Sequence, residues 1–259
     1  MSMVLTERRG SVAILTLNNP AQYNALAGSL LGDLSRALDA AIGDAAVRAI
    51  VLTGAGKGFC AGAQLGGGNT FEAGAGIGDS MRATINPVIE KMRGSPKPVV
   101  VAVNGPAAGA GVGIALAGDI VVAARSARFV LSFVRLGAAL DAGTSLLLQR
   151  SIGVARARAL ALLGQPLHAE QAEQWGLIWK MVEDGELLGE AMAIAQALAD
   201  GPPVSIGLIK NQIDAAWNAS LEATLDSEAS SQSRAFRTAD LREGAAAFVE
   251  KRPARFTGQ

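Results

Sequence analysis

Two glycine clusters are places where the main chain itself could do chemistry: Gly54-Ala-Gly-Lys-Gly-Phe-Cys-Ala-Gly-Ala63 and Ala108-Gly-Ala-Gly-Val-Gly113. Each follows a short apolar run that reads as a buried strand, and each precedes a segment of helical pattern. A peptide N–H at such a junction lacks an intrahelical acceptor and lies at the positive end of the helix dipole. Two such groups aimed at one point form an oxyanion hole, and small side chains let a substrate touch the backbone. Close packing of main chain against main chain needs the same small residues, so the clusters alone leave both readings open. Neither is a phosphate cradle. Lys57 is followed by Gly58 rather than Ser or Thr, and 108–113 lacks the Gly-x-Gly-x-x-Gly spacing. The chain contains no Gly-x-Ser-x-Gly elbow.

Other chemistries are narrowed by composition. The chain has 259 residues, one cysteine (Cys60) and one histidine (His168). That excludes an intrachain disulfide and a cysteine metal cage, and it leaves little for histidine-dependent catalysis. Lys plus Arg is 23 and Asp plus Glu is 23, so there is no basic surplus of the kind that neutralises nucleic-acid phosphates. Half the residues are hydrophobic and 18% are charged, a balance opposite to that of disordered chains. The first residues carry no basic-then-apolar leader, and we read a cytoplasmic start. Residues 98–118 are uncharged over the length of a membrane span, but Pro106, five glycines and the Asn104-Gly105 turn signal interrupt them. A buried strand, a turn and a small-residue helix are expected there.

Elements must hold these clusters. Residues 12–17, 49–53, 98–103, 120–123 and 128–131 read as strands, with a helix over 29–42 started by Ser29 and another over 81–92. Residues 66–78 hold six glycines and read as a surface loop. Beyond Asp141 the signals are helical: 154–163, 169–175, 187–198, 204–218 and 221–231. Short apolar strands alternating with helices predict an α/β class with a helical C-terminal region.

The motifs Phe59-Cys-Ala-Gly-Ala-Gln-Leu65, Asn104-Gly-Pro-Ala-Ala-Gly-Ala-Gly-Val-Gly113 and the tail from Gly244 to Phe256, with Trp175-Gly-Leu-Ile178 between them, resemble the enoyl-CoA hydratase/isomerase (crotonase) superfamily. The resemblance implies a spiral of repeated ββα units, with residues 1–200 as the core and 201–259 as a helical trimerisation region. It implies an acyl-CoA thioester substrate, no cofactor beyond that coenzyme A, no metal, no nucleic-acid or membrane partner, and a homotrimer or dimer of trimers. Matching the motifs puts the two oxyanion donors at the N–H groups of Ala63 and Ala110, beside Gly109. Gln22, Tyr23 and Ala25 would line the coenzyme A entrance. Ala61, Gln64 and Leu65 would flank adenine and pantetheine, although Gln64 replaces the usual acid. Phe248 and Lys251 would reach coenzyme A from the last helix, sometimes that of a neighbouring subunit.

The two glutamates of the hydratases match Gly113 and Phe133, so neither carboxylate is present. Asp141 remains, where related isomerases carry an acid, with Phe133, Leu136 and Leu140 as apolar neighbours. One carboxylate can take a proton from one carbon and return it to another, which shifts a double bond without water. Capping the next helix is the competing role for Asp141. Glu72, Asp79 and Glu90 read as solvated charges, Asn86 as helix surface, His168 and Asp119 as structural, and Cys60 as a small buried hydrophobe. The expected activity is an enoyl-CoA isomerase. The alternatives are a hydratase that recruits another acid, a nucleophilic Asp141, and a non-catalytic acyl-CoA binder.

Overall fold

Alternation along the strands decides the layers. In residues 12–17, Val12 and Ile14 point to one face of a sheet while Ala13, Leu15 and Leu17 point to the other, and all five are buried. Both faces must therefore be covered, which is how parallel sheets are built. The computed structural model describes residues 2–64 and 76–259. It contains β1 (Val4–Arg9), β2 (Val12–Leu17), α1 (Leu30–Gly43), β3 (Ala49–Gly54), α2 (Ile77–Ala83), α3 (Ile85–Gly94), β4 (Val99–Val103), β5 (Ala107–Ala108) and α4 (Ala110–Leu116). It continues with β6 (Ile120–Ala124), β7 (Arg128–Val130), α5 (Thr144–Leu163), β8 (Pro166–His168), α6 (Ala169–Gln174), β9 (Lys180–Val182), α7 (Leu187–Asp200), α8 (Pro203–Ala216), α9 (Leu221–Ala235) and α10 (Ala239–Glu250).

The main sheet has six strands in the order β1-β2-β3-β4-β6-β9. β1 pairs antiparallel with β2, and every other pair is parallel. One face packs on α7 through Leu187, Ala191, Ala195 and Ala199. The other packs on α1, α3 and α4. Leu30, Leu34 and Leu38 line the buried stripe of α1 at helical spacing and are fully excluded from water, each contributing about 2 kcal/mol. A second sheet, β5-β7-β8, stands beyond the first. The units β4-β5-α4 and β6-β7-α5 each give one strand to either sheet and then a helix. This is the repeated ββα spiral that the resemblance implied.

Most strands fall where the pattern put them, and three differences are physical. The expected helix over 81–92 is two helices, broken at Thr84 with φ −122° and ψ −73°. The helix expected from 154 begins at Thr144 and bends at Gly153, whose φ of +78° no helix holds. Ser29 stands at the start of α1, but its hydroxyl donates to Asp33 Oδ2 at 3.1 Å instead of capping an amide. The loop expected over 66–78 lies outside the described residues up to position 75. Among the described residues no single helix is long and apolar enough to cross a membrane. The uncharged stretch 98–118 is β4, a turn, β5 and α4.

Candidate active site

The C-terminal ends of β3 and β4 lead into the two glycine clusters, and two asparagines tie these ends together. Asn104 Oδ1 accepts from Gly54 N at 3.0 Å, and its Nδ2 donates to Gly56 O and Gly58 O. Asn24 is fully buried, and its Nδ2 donates to Ala55 O and Gly58 O. The 54–58 turn is thus latched from both sides, and the chain leaves it on a fixed path through Phe59 and Cys60, both buried. The Cys60 carbonyl accepts from Ala108 N at 2.9 Å, which seats the first cluster directly on the second. The sequence reading missed the asparagines. A buried Asn beside a glycine turn is their signal, and it is a weak one.

Gly62 brings the oxyanion candidates together. Its φ is +78°, and a Cβ there would sit 2.6 Å from Ala108 O and 3.4 Å from Ala110 N. Ala63 follows at an isolated bridge to Leu26. It does not stand at a helix start, contrary to the expectation for the first cluster. Among the described residues no backbone carbonyl accepts from its N–H. Ala110 is the first residue of α4, so its N–H has no intrahelical acceptor. Gly109 before it has φ +51°. A Cβ on Gly109 would meet Phe133 at 3.8 Å, so Phe133, itself buried, walls the same spot.

The carboxyl arrives from a different element. A Cβ on Gly113 would lie 2.5 Å from Ala142 O and 2.6 Å from Ala142 Cβ. Gly113 is one helical turn beyond Ala110 on the same face of α4. The 141–144 turn therefore packs beside the oxyanion candidates, with Asp141 at its head. Asp141 does not cap α5, because Gly143 holds that place. Its Oδ1 is buried without a hydrogen-bond partner. Burial pushes the carboxyl up to about 6, and no charged neighbour contributes to that shift. A carboxylate so placed can both take and return a proton near neutral pH.

The coenzyme A candidates divide. Gln22, Tyr23, Ala61 and Gln64 are exposed, and Ala61 N donates to Tyr23 O at 2.9 Å. Ala25 is buried. Leu65 and Glu72 lie outside the described residues. Phe248 is 86% exposed on α10, and Lys251 is exposed just past its end. The tail behind them is fastened by Arg48, which donates to Phe256 O and Thr257 O. Arg48 precedes β3, whereas the site follows it, so the tail is held at the opposite end of the sheet, about 20 Å away by strand rise.

The remaining candidates have other roles in the structure. Asp79 pairs with Arg82, Glu90 and His168 are exposed, and Asn86 is half-buried on α3. Cys60 is buried and its thiol is pushed up to about 11 by desolvation. Asp119 accepts from Val99 N and pairs with the buried Lys210 at 2.8 Å, so it ties α8 to the start of β4.

The pattern of the enoyl-CoA hydratase/isomerase family matches residues 7–259. The chain belongs to the enoyl-CoA hydratase/isomerase family. A 1,2-epoxyphenylacetyl-CoA isomerase of Escherichia coli (strain K12) is 44% identical over 261 residues, with 100% of each chain covered. A 2,3-dehydroadipyl-CoA hydratase of the same strain is 34% identical, again over 100% of each. The crystal structure of an enoyl-CoA hydratase from Bacillus anthracis matches with a TM-score of 0.92 at 33% identity, covering 99% of this chain and 100% of that one. The enoyl-CoA hydratase/isomerase fold is thus present end to end, and an acyl-CoA thioester is the substrate class that the family implies. Its members carry both hydratase and isomerase names, so membership by itself leaves the reaction between those two.

Proposed function

We propose that the protein is an enoyl-CoA isomerase in which Asp141 is the single acid/base. The observation that carries this reading is the half-buried Asp141 carboxyl beside the start of α4, with Oδ1 inaccessible to water and no charged neighbour shifting its ionisation. The N–H groups of Ala63 and Ala110 would hold the thioester oxygen. Each such donor is worth about 3 kcal/mol of barrier, because enolate charge develops on the atom it holds. On a 3-enoyl thioester, ionised Asp141 takes a proton from C2. The electron pair delocalises into a dienolate whose oxygen stays between the two amides. The protonated acid then returns the proton to C4, leaving the double bond between C2 and C3. Atoms balance and no water enters.

Coenzyme A, part of the substrate, is the one nucleotide group required; Gln22, Tyr23 and Ala25 would line its entrance, and Ala61 and Gln64 would flank its adenine and pantetheine. Phe248 and Lys251 would serve the site of a neighbouring copy in a homotrimer or dimer of trimers, which fits their exposure and the remote anchoring of the tail. The E. coli relative named for a ring-derived CoA ester supports a bulky acyl group against Phe133 as one variant of this reaction. A panel of 3-enoyl and 2-enoyl CoA esters tests the proposal. Double-bond migration without hydration is expected, and hydration of crotonyl-CoA with no migration would refute it.

A further inference from the structure

Among the described residues, two buried side-chain oxygens have no hydrogen-bond partner: Asp141 Oδ1 and Thr144 Oγ1. They stand at the two ends of one turn. Thr144 N donates to Asp141 O at 2.9 Å, and the central residues Ala142 and Gly143 have φ of +50° and +71°. This is the left-handed turn type that favours Asn and Gly; alanine at its first central position is strained. Such a turn keeps its end Cα atoms within about 7 Å. Thr144 is completely inaccessible to water, and its Oγ1 packs 2.9 Å from where a Gly113 Cβ would stand. Burying a hydroxyl without a partner costs roughly as much as a lost hydrogen bond, and valine would fill the same volume without that cost. A polar residue at this place therefore asks for a polar task.

We infer that Thr144 is a positioning residue for Asp141, its hydroxyl donating to the carboxyl, directly or across one water, while the acyl group fills the site. The inference rests on the reading of Asp141 as the acid/base. Among the described residues, Gly113 of α4 lies against Ala142, and Ile89 of α3 and Leu147 of α5 lie nearest Gly143; none of the three is ionisable. Of the charges on the flanking elements, Glu90 is exposed, Arg135 is exposed and lies against Gly164, and Arg150 stacks on Trp217. The Thr144 hydroxyl would thus set both the orientation and the proton affinity of Asp141.

Two substitutions separate this role from mere packing, because they rank oppositely. Thr144→Ser keeps the hydroxyl and loses a methyl, whereas Thr144→Val keeps the shape and loses the hydroxyl. Thr144→Val is expected to melt no lower than the native protein, to lower kcat on a 3-enoyl-CoA roughly 10-fold or more with KM little changed, and to move the acid limb of the pH profile upward by about one unit. Thr144→Ser is expected to keep kcat and the acid limb. The Val change should add nothing in an Asp141→Asn background. Native kcat and acid limb in Thr144→Val, with Asp141→Asn inactive, overturn the inference and leave the isomerase reading standing. Full turnover by Asp141→Asn overturns both.

Discussion

A Cβ on Gly113 would stand 2.6 Å from the Cβ of Ala142, inside the distance that real Cβ atoms keep. The position that matches a hydratase glutamate is thus closed by the turn carrying Asp141. Carboxylate and turn cannot share the space. Gly113→Glu is therefore expected to destabilise the fold by about 3 kcal/mol or more through overpacking, and to gain no hydration of crotonyl-CoA. Urea melts and the loss of enoyl absorbance read the two effects.

Asp141→Asn removes the proposed shuttle while keeping the shape. Turnover on a 3-enoyl-CoA should fall by about 10²- to 10⁴-fold, with KM nearly unchanged.

The ionisation of Asp141 predicts two pH effects of opposite sign. Its carboxyl titrates near 6 in the fold and lower in the unfolded chain. As a base it must be ionised, so kcat/KM should rise with pH and level off above about 6. The unfolded state loses its proton first, so this group's contribution to stability is fully present below the unfolded value. It is lost as pH climbs to about 6. Melting temperatures of the native protein should fall across that window relative to those of Asp141→Asn.

Gly62→Ala should damage the oxyanion pair without touching an acid or base. Alanine is strained at φ +78°, and its methyl would press on Ala108 O at 2.6 Å, pushing the segments that carry Ala63 and Ala110 apart. A fall in kcat of about 10²-fold is expected, on the scale of losing one donor. A substrate titration separates kcat from KM.

Asn104→Leu should loosen the same pocket from behind. It leaves Gly54 N and Gly56 O without their side-chain partner, while Gly58 O keeps its bond from Asn24. A loss of about 2 kcal/mol in stability is expected by denaturant titration, with slower turnover as the loop relaxes.

Local pattern reaches part of this arrangement. The apolar runs 12–17 and 49–53 could be read as strands because burial on both faces leaves Thr16 and Thr53 as their only polar positions. The motifs at 59–65 and 104–113 could be matched because close main-chain approach admits only small residues. The break at Thr84 is marked by Pro87 in the first turn of α3, a signal the expected helix over 81–92 ran through, while Gly143 only faintly marks the early start of α5.

The amino-acid order alone determined the strands, the small-residue clusters, the lack of acids at 113 and 133, and the identity of Asp141 as the candidate carboxyl. Tertiary structure decided that Gly62 lies against Ala108 and Ala110, that Ala142 occupies the space before Gly113, and that the Thr144 hydroxyl and one Asp141 oxygen are both buried without a partner. The first two relationships join residues about 30 to 50 positions apart. Spacing along a chain carries no information about such pairs until the sheet and its helices bring them into contact, and only burial then gives a common carboxyl the pKa that proton transfer requires.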